Sequence, residues 1–202
     1  MEALSCREQH IIRELLSTGY AHAARSLATL VNQPVSAEIM LFTVSGIGVS
    51  EAIYYPEGNA TLILTDIIGE VGGRSYLLLS EPECVALFGM CLPATGTERQ
   101  HAGLGEELLK EIDNIVSAAM ITKLSEALNV RIFGGVPHAF TSSAVSIKAK
   151  IKEDMAHQKS DGLLMVSARF LFETDASLQP QLFWILPPEF IQKLTDYTKL
   201  VL

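Results

Sequence analysis

No apolar run in these 202 residues reaches the ~18–20 residues that a membrane-spanning helix needs; Asp66, Glu70, Arg74 or a glycine interrupts the richest stretches. Positive charge is also short. Fifteen Lys and Arg stand against 23 Asp and Glu, a net charge of -8. A nucleic-acid binder needs a basic stripe to meet phosphates, and an anionic membrane surface repels an acidic chain, so neither is expected as a partner. Cysteine is scarce: only Cys6, Cys84 and Cys91. An odd, scattered set reads as reduced thiols, and the spacing of Cys84 and Cys91 places them on one helix face rather than in a metal knuckle. The opening MEALSCREQH lacks a basic segment followed by an apolar one, so no signal peptide and a cytoplasmic location are expected. Ser45-Gly46-Ile47-Gly48 lacks the third glycine of a dinucleotide loop, and no Gly-x-Ser-x-Gly elbow occurs.

What the chain has is apolar residues, 49% of the total, enough for one large core. Ile11, Ile12, Leu15, Leu16, Ala23, Leu27 and Leu30 recur at helical spacing, predicting a helix from Cys6 to Leu30 that Asn32-Gln33-Pro34 stops. Strands are predicted over Val35–Ser45 and Val49–Tyr55. Ala60–Gly69 and Arg74–Ser80 are predicted to pair, and Glu81-Pro82-Glu83 opens a short helix. Residues 93–103 (PATGTERQHAG) read as a linker. A long helix is then predicted from Leu104 to Asn129, a strand over Val130–Phe133 and an extended stretch over Val145–Glu153. A hairpin of Leu163–Glu173 with Gln181–Leu186 follows, and Pro187-Pro188-Glu189 opens a last helix to Lys199.

The two halves, 1–92 and 104–202, match in layout: long helix, several strands, then a short helix opened by Pro-Glu. Leu79-Ser80-Glu81-Pro82-Glu83-Cys84 echoes Ile185-Leu186-Pro187-Pro188-Glu189-Phe190. The expected fold is α+β: one pseudo-twofold duplicated domain, an antiparallel sheet with two long helices packed on it.

On a helical wheel of about 100° per residue, Glu107, Glu111 and Asn114 share one face, away from the arc of Leu108, Ile112, Ile115, Val116 and Ala119. An exposed carboxamide can orient a water, and a carboxylate one turn away can take a partner ammonium in a charge-assisted bond. An acyl phosphate is already a reactive anhydride, so such positioning is all its hydrolysis needs. Equally, an exposed Glu and Asn suit an ordinary solvated face.

The spacing Glu107-x3-Glu111-x2-Asn114-x22-Pro137 resembles the signature of the CheC, CheX and FliY phosphatases of bacterial chemotaxis: Asp or Ser, three residues, Glu, two residues, Asn, twenty-two residues, Pro. The surrounding LLKEIDNIVSAAMITKLSEALNVRIFGGVP and the closing GLLMVSARFLF and QLFWILPPEFIQKL are also similar to the family. The resemblance implies dephosphorylation of a phosphorylated CheY-like receiver. Glu111 would bind a receiver lysine and Asn114 would orient the attacking water. Mg²⁺ would sit on the receiver, with no cofactor on this chain, and Pro137 would be structural. The alternative that it allows is a non-catalytic module that docks a receiver or a CheD-like deamidase. Glu107 stands where the family has Asp or Ser. Asp113 replaces a small glycine; with Glu107 it is expected at the partner contact, its charge weakening docking on an acidic phosphosite. In the first half, His10, Glu14 and Ser17 occupy the three helix positions and Met40 that of the proline. Ser17 offers no carboxamide, so the first face is expected to be inactive.

Other candidates read blandly. His22 among small residues suggests a helix crossing, and His138 a turn. No His stands at di-metal spacing from Glu111 or Asp113, so no metal is expected there. Lys148, Lys150 and Lys152 alternate as on a solvated edge strand; such an edge leaves both a monomer and a homodimer open.

Overall fold

Ser5 starts the first helix, α1 (Cys6–Val31), through a reciprocal capping box. The Glu8 amide donates to Ser5 Oγ at 3.3 Å, and the Ser5 amide to Glu8 Oε2 at 2.8 Å. Asn32 ends it in the left-handed conformation at φ 53°, and Asn129 (φ 50°) stands just past the second long helix, α3 (Glu98–Leu128). The two asparagines are related by the same offset as Glu14 and Glu111. The computed structural model describes residues 4–44, 53–91, 98–157 and 163–201. The Gly46–Gly48 turn, most of the strand expected over Val49–Tyr55 and the front of the linker lie outside them; Ile53–Tyr55 is not a strand.

The remaining elements are β1 (Val35–Val44), β2 (Asn59–Gly69), β3 (Gly73–Ser80), α2 (Glu81–Cys91), β4 (Ile132–Gly134), β5 (His138–Ser143), α4 (Ala144–His157), β6 (Leu164–Phe172), β7 (Gln181–Leu186) and α5 (Pro188–Val201). The expected long helix is extended at its front, since residues 98–103 of the supposed linker are helical. The strands form one antiparallel sheet in the order β1-β6-β7-β3-β2-β4, with β5 also on β2. Each half lends its edge to the other: β1 pairs with β6, and β4 and β5 pair with β2. β3 and β7 meet at the centre, where the Tyr76 and Phe183 rings stack at 4.8 Å and 11°.

Helices α1 and α3 cover one face of the sheet. Leu16, Leu27, Ile112, Val116, Met120, Phe170 and Trp184 are fully or almost fully buried there. The two helices approach closely at Gly19, where an added Cβ would overlap Met120 Sδ. His22 is half-buried beside them with Nδ1 3.2 Å from the Ala119 carbonyl, a packing contact as expected. The Cys84 thiol is buried, and desolvation pushes it up to about 11, far from a reactive thiolate.

The stretch expected to be an extended edge, Val145–Glu153, is instead within helix α4. Ser143 caps it, its Oγ accepting from the Ser146 amide at 3.3 Å. Ile147, Ile151 and Asp154 are the buried residues at i, i+4 and i+7. The apparent alternation of lysines hid this helical period, because Lys150 curls back to Asp154 at 3.0 Å. The expected lysine-bearing edge strand is therefore a helix. Helix α4 instead covers the second sheet face, over Leu62, Tyr76, Leu78, Met165 and Phe183. A further strand, β5, was not expected. At the far end of β2, Gly69 takes φ 131°, and an added Cβ would overlap the Arg131 carbonyl.

Candidate functional site

Helix α3 carries the candidate site because its buried and exposed stripes are sharply divided. Leu109, Ile112, Val116, Met120 and Leu124 face the sheet and α1, each no more than 3% exposed. Glu107, Glu111, Asn114, Ala118 and Thr122 form the opposite, exposed stripe. Glu111 and Asn114 lie one turn apart on it, and no described side chain bonds to either. Glu107 is held back towards its own helix by Lys110 at 3.1 Å, a lysine that also pairs with Glu106 at 2.7 Å.

Asp113 does not join this face. It is fully buried, about 100° around the helix from Asn114. Thr65 Oγ1 of β2 donates to Asp113 Oδ2 at 2.6 Å, Ser117 Oγ lies 3.4 Å from Oδ1, and Ser75 Oγ is 3.0 Å from Ser117 Oγ. Its expected place at the partner contact is therefore corrected. The buried arc of α3 reaches further round than the apolar residues alone indicate, because Asp113 and Ser117 belong to it and the sheet beneath supplies hydroxyls. Burial pushes the Asp113 carboxyl up to about 7, and the hydroxyls pull it partly back. Nothing in the sequence pattern marked Thr65, Ser75 and Ser117 as its partners.

Pro137 sits where the outer strand breaks. Gly134 pairs with Ile67 and His138 with Leu64, so Gly135, Val136 and Pro137 span only Thr65 and Asp66 of β2. This is a one-residue bulge, closed by the Gly135 amide donating to the Asp66 carbonyl at 2.7 Å. A proline suits the position because it has no amide to leave unpaired. The exposed Phe133 and Val136 flank the break. Beside it a groove of about 450 Å³ runs between β4 and the end of the exposed α3 stripe, lined by Ala118, Thr122, Ile132 and Phe133 among others. His138 is exposed at the start of β5.

The first half repeats the geometry with different side chains. His10 and Glu14 are exposed on α1, whereas Ser17 is half-buried and its hydroxyl donates to the Arg13 carbonyl at 2.8 Å. Met40 occupies a bulge in β1, between Ile39 opposite Ala168 and Leu41 opposite Ser167. Its sulfur accepts from Arg169 Nε at 3.0 Å. Met40 and Pro137 thus hold corresponding bulges in the two outer strands. Among the described residues no three His, Cys, Asp or Glu side chains converge as metal ligands, and no helix is long and apolar enough to cross a membrane.

No protein-family model matches the sequence, and no curated protein matches it either. Solved structures do. FliY of Thermotoga maritima superposes with a TM-score of 0.68 at 12% identity, over 98% of each chain. The FliM middle domain of H. pylori gives 0.62 at 10% identity, over 96% of this chain and 99% of that one. CheX of Borrelia burgdorferi gives 0.52 at 12% identity, over 86% and 96%. At these identities the likeness speaks to architecture: the chain has the CheC/CheX/FliY-type fold.

Proposed function

We propose that this protein docks a phosphorylated, CheY-like receiver domain on α3 and hydrolyses its aspartyl phosphate. The observation that carries the reading is the Glu111–Asn114 pair, exposed one turn apart at the family's spacing to Pro137. Asn114 has a carboxamide free to accept one proton of a water and hold it in line with the phosphorus. Glu111 supplies a carboxylate for a receiver ammonium, which would orient the two proteins. Mg²⁺ would sit on the receiver, beside its phosphorylated aspartate. The rate gain comes from positioning, with no covalent intermediate on this chain. CheX of Borrelia burgdorferi, which shares the fold, occurs in a complex with CheY, BeF₃ and Mg²⁺, and this supports the choice of partner.

A second reading is a docking module without catalysis. It is favoured by the FliM structures of the same fold in complex with FliG and with SpeE; a CheD-like deamidase is another partner of this kind. One pair of measurements separates the readings. Binding of a BeF₃-activated receiver together with faster decay of its phosphorylated form supports the phosphatase. Binding with unchanged decay supports the docking module, and absence of both across a panel of receivers rejects the receiver as partner.

A further inference from the structure

The proposed chemistry makes no use of Asp113, yet this buried carboxyl lies next to Asn114 in the chain and contacts β2 directly. The apolar side chains beneath α3 hold it on the sheet, but apolar contact is non-directional and specifies rotation poorly. Hydrogen bonds are directional, and the Thr65–Asp113–Ser117–Ser75 series ties this turn of α3 to β2 and β3. We propose that Asp113 is a positioning residue: its carboxyl, held between Thr65 and Ser117, sets the rotation of the α3 turn that presents Glu111 and Asn114, and its proton governs that presentation.

The groups that face the carboxyl are hydroxyls. Thr65 comes from β2, Ser117 from α3 itself, and Ser75 from β3 through Ser117. The nearest charged residues on those strands, Asp66 and Arg74, point to the opposite sheet face, where they pair with each other and Arg74 pairs with Asp154 of α4. From α1, the Tyr20 hydroxyl is spent on the Val166 carbonyl and His22 on that of Ala119, while Arg13 and Glu14 face solvent. Among the described residues no cation offsets an ionised Asp113. Burial pushes its carboxyl up to about 7, so that losing the proton places a charge beneath the helix turn with only the Thr65 and Ser117 hydroxyls to meet it.

The activity arm of the test rests on the phosphatase reading; the structural arm does not. In the free protein, the Asn114 side-chain amide resonance is followed by NMR from pH 5.5 to 8.5. The expected result is a titration near pH 7 in the wild type, none in Asp113→Asn, and a midpoint displaced upwards in Thr65→Val. An Asn114 resonance indifferent to pH, or one that titrates equally in Asp113→Asn, overturns the inference. Should Asp113→Asn not fold, Thr65→Val decides: an unmoved midpoint overturns it. In the second arm, receiver decay is corrected for its own rate at each pH. The wild-type kcat should fall about tenfold from pH 6 to pH 8 with KM unchanged, and Asp113→Asn should be flat. A wild type that accelerates decay equally at all pH values overturns control by the proton. One that never accelerates decay defeats the phosphatase reading instead, leaving the NMR arm to decide the positioning role.

Discussion

Thr65 reaches up from β2 to Asp113 at 2.6 Å, so that two residues adjacent in the chain are divided between two environments: Asp113 in the sheet, Asn114 in solvent. Burial of that carboxyl also makes folding depend on pH. Desolvation raises the native Asp113 to about 7, whereas an unfolded aspartate ionises near ~4. Below pH ~4 both states hold the proton and the contribution is complete. Between pH ~4 and about 7 the unfolded chain releases a proton that the native one keeps, so stability falls as pH rises, and above about 7 this slope ends. Urea midpoints at several pH values should show that decline in the wild type and a shallower one in Asp113→Asn.

Glu111→Ala should weaken the encounter more than the chemistry. The side chain is exposed and bonded to no described neighbour, so its loss should leave stability within ~0.5 kcal/mol. In steady-state kinetics with a phosphorylated receiver, kcat/KM should drop about 10- to 100-fold, mainly through KM, and the salt dependence should flatten. Glu111→Lys should be worse than Glu111→Ala, since it sets like charges together.

The first face should be silent. His10 and Glu14 are exposed, but Ser17 has turned its hydroxyl to its own helix backbone. Glu14→Ala, alone or with Ser17→Ala, should therefore leave receiver dephosphorylation within about twofold, and thermal unfolding should change by ~0.5 kcal/mol or less.

Gly69→Ala should be among the costly single changes. The residue combines φ 131° with a Cβ path blocked by the Arg131 carbonyl, a backbone atom that cannot rotate away. A loss of about 2–3 kcal/mol is expected in denaturant unfolding. Since β4 begins opposite this residue, at Ile132, and runs on toward Pro137, receptivity to the receiver should fall with it.

The sheet and the two long helices were legible in the sequence because their signals are local: helical apolar spacing on α1, a clear hairpin at β2–β3, and Pro-Glu openings for α2 and α5. The Glu111–Asn114 face was legible for the same reason, since a helical wheel needs only the spacing. Asp113 was misplaced because its partners, Thr65 and Ser75, come from strands far away in the chain, and a carboxyl surrounded by hydroxyls leaves no periodic trace. Helix α4 was missed because its lysines alternate, although Ile147, Ile151 and Asp154 already carried the helical period. The corresponding bulges at Met40 and Pro137 became visible only once the strand register was known.

The central claim is that the Asn114 amide positions the attacking water. The most direct measurement is the decay of a phosphorylated cognate receiver with saturating wild type and with saturating Asn114→Ala, whose fold and receiver binding should be intact because Asn114 is exposed. The account predicts that the wild type shortens the lifetime and that Asn114→Ala loses at least about 100-fold of that acceleration while still binding. An Asn114→Ala protein that dephosphorylates the receiver as fast as the wild type would contradict it.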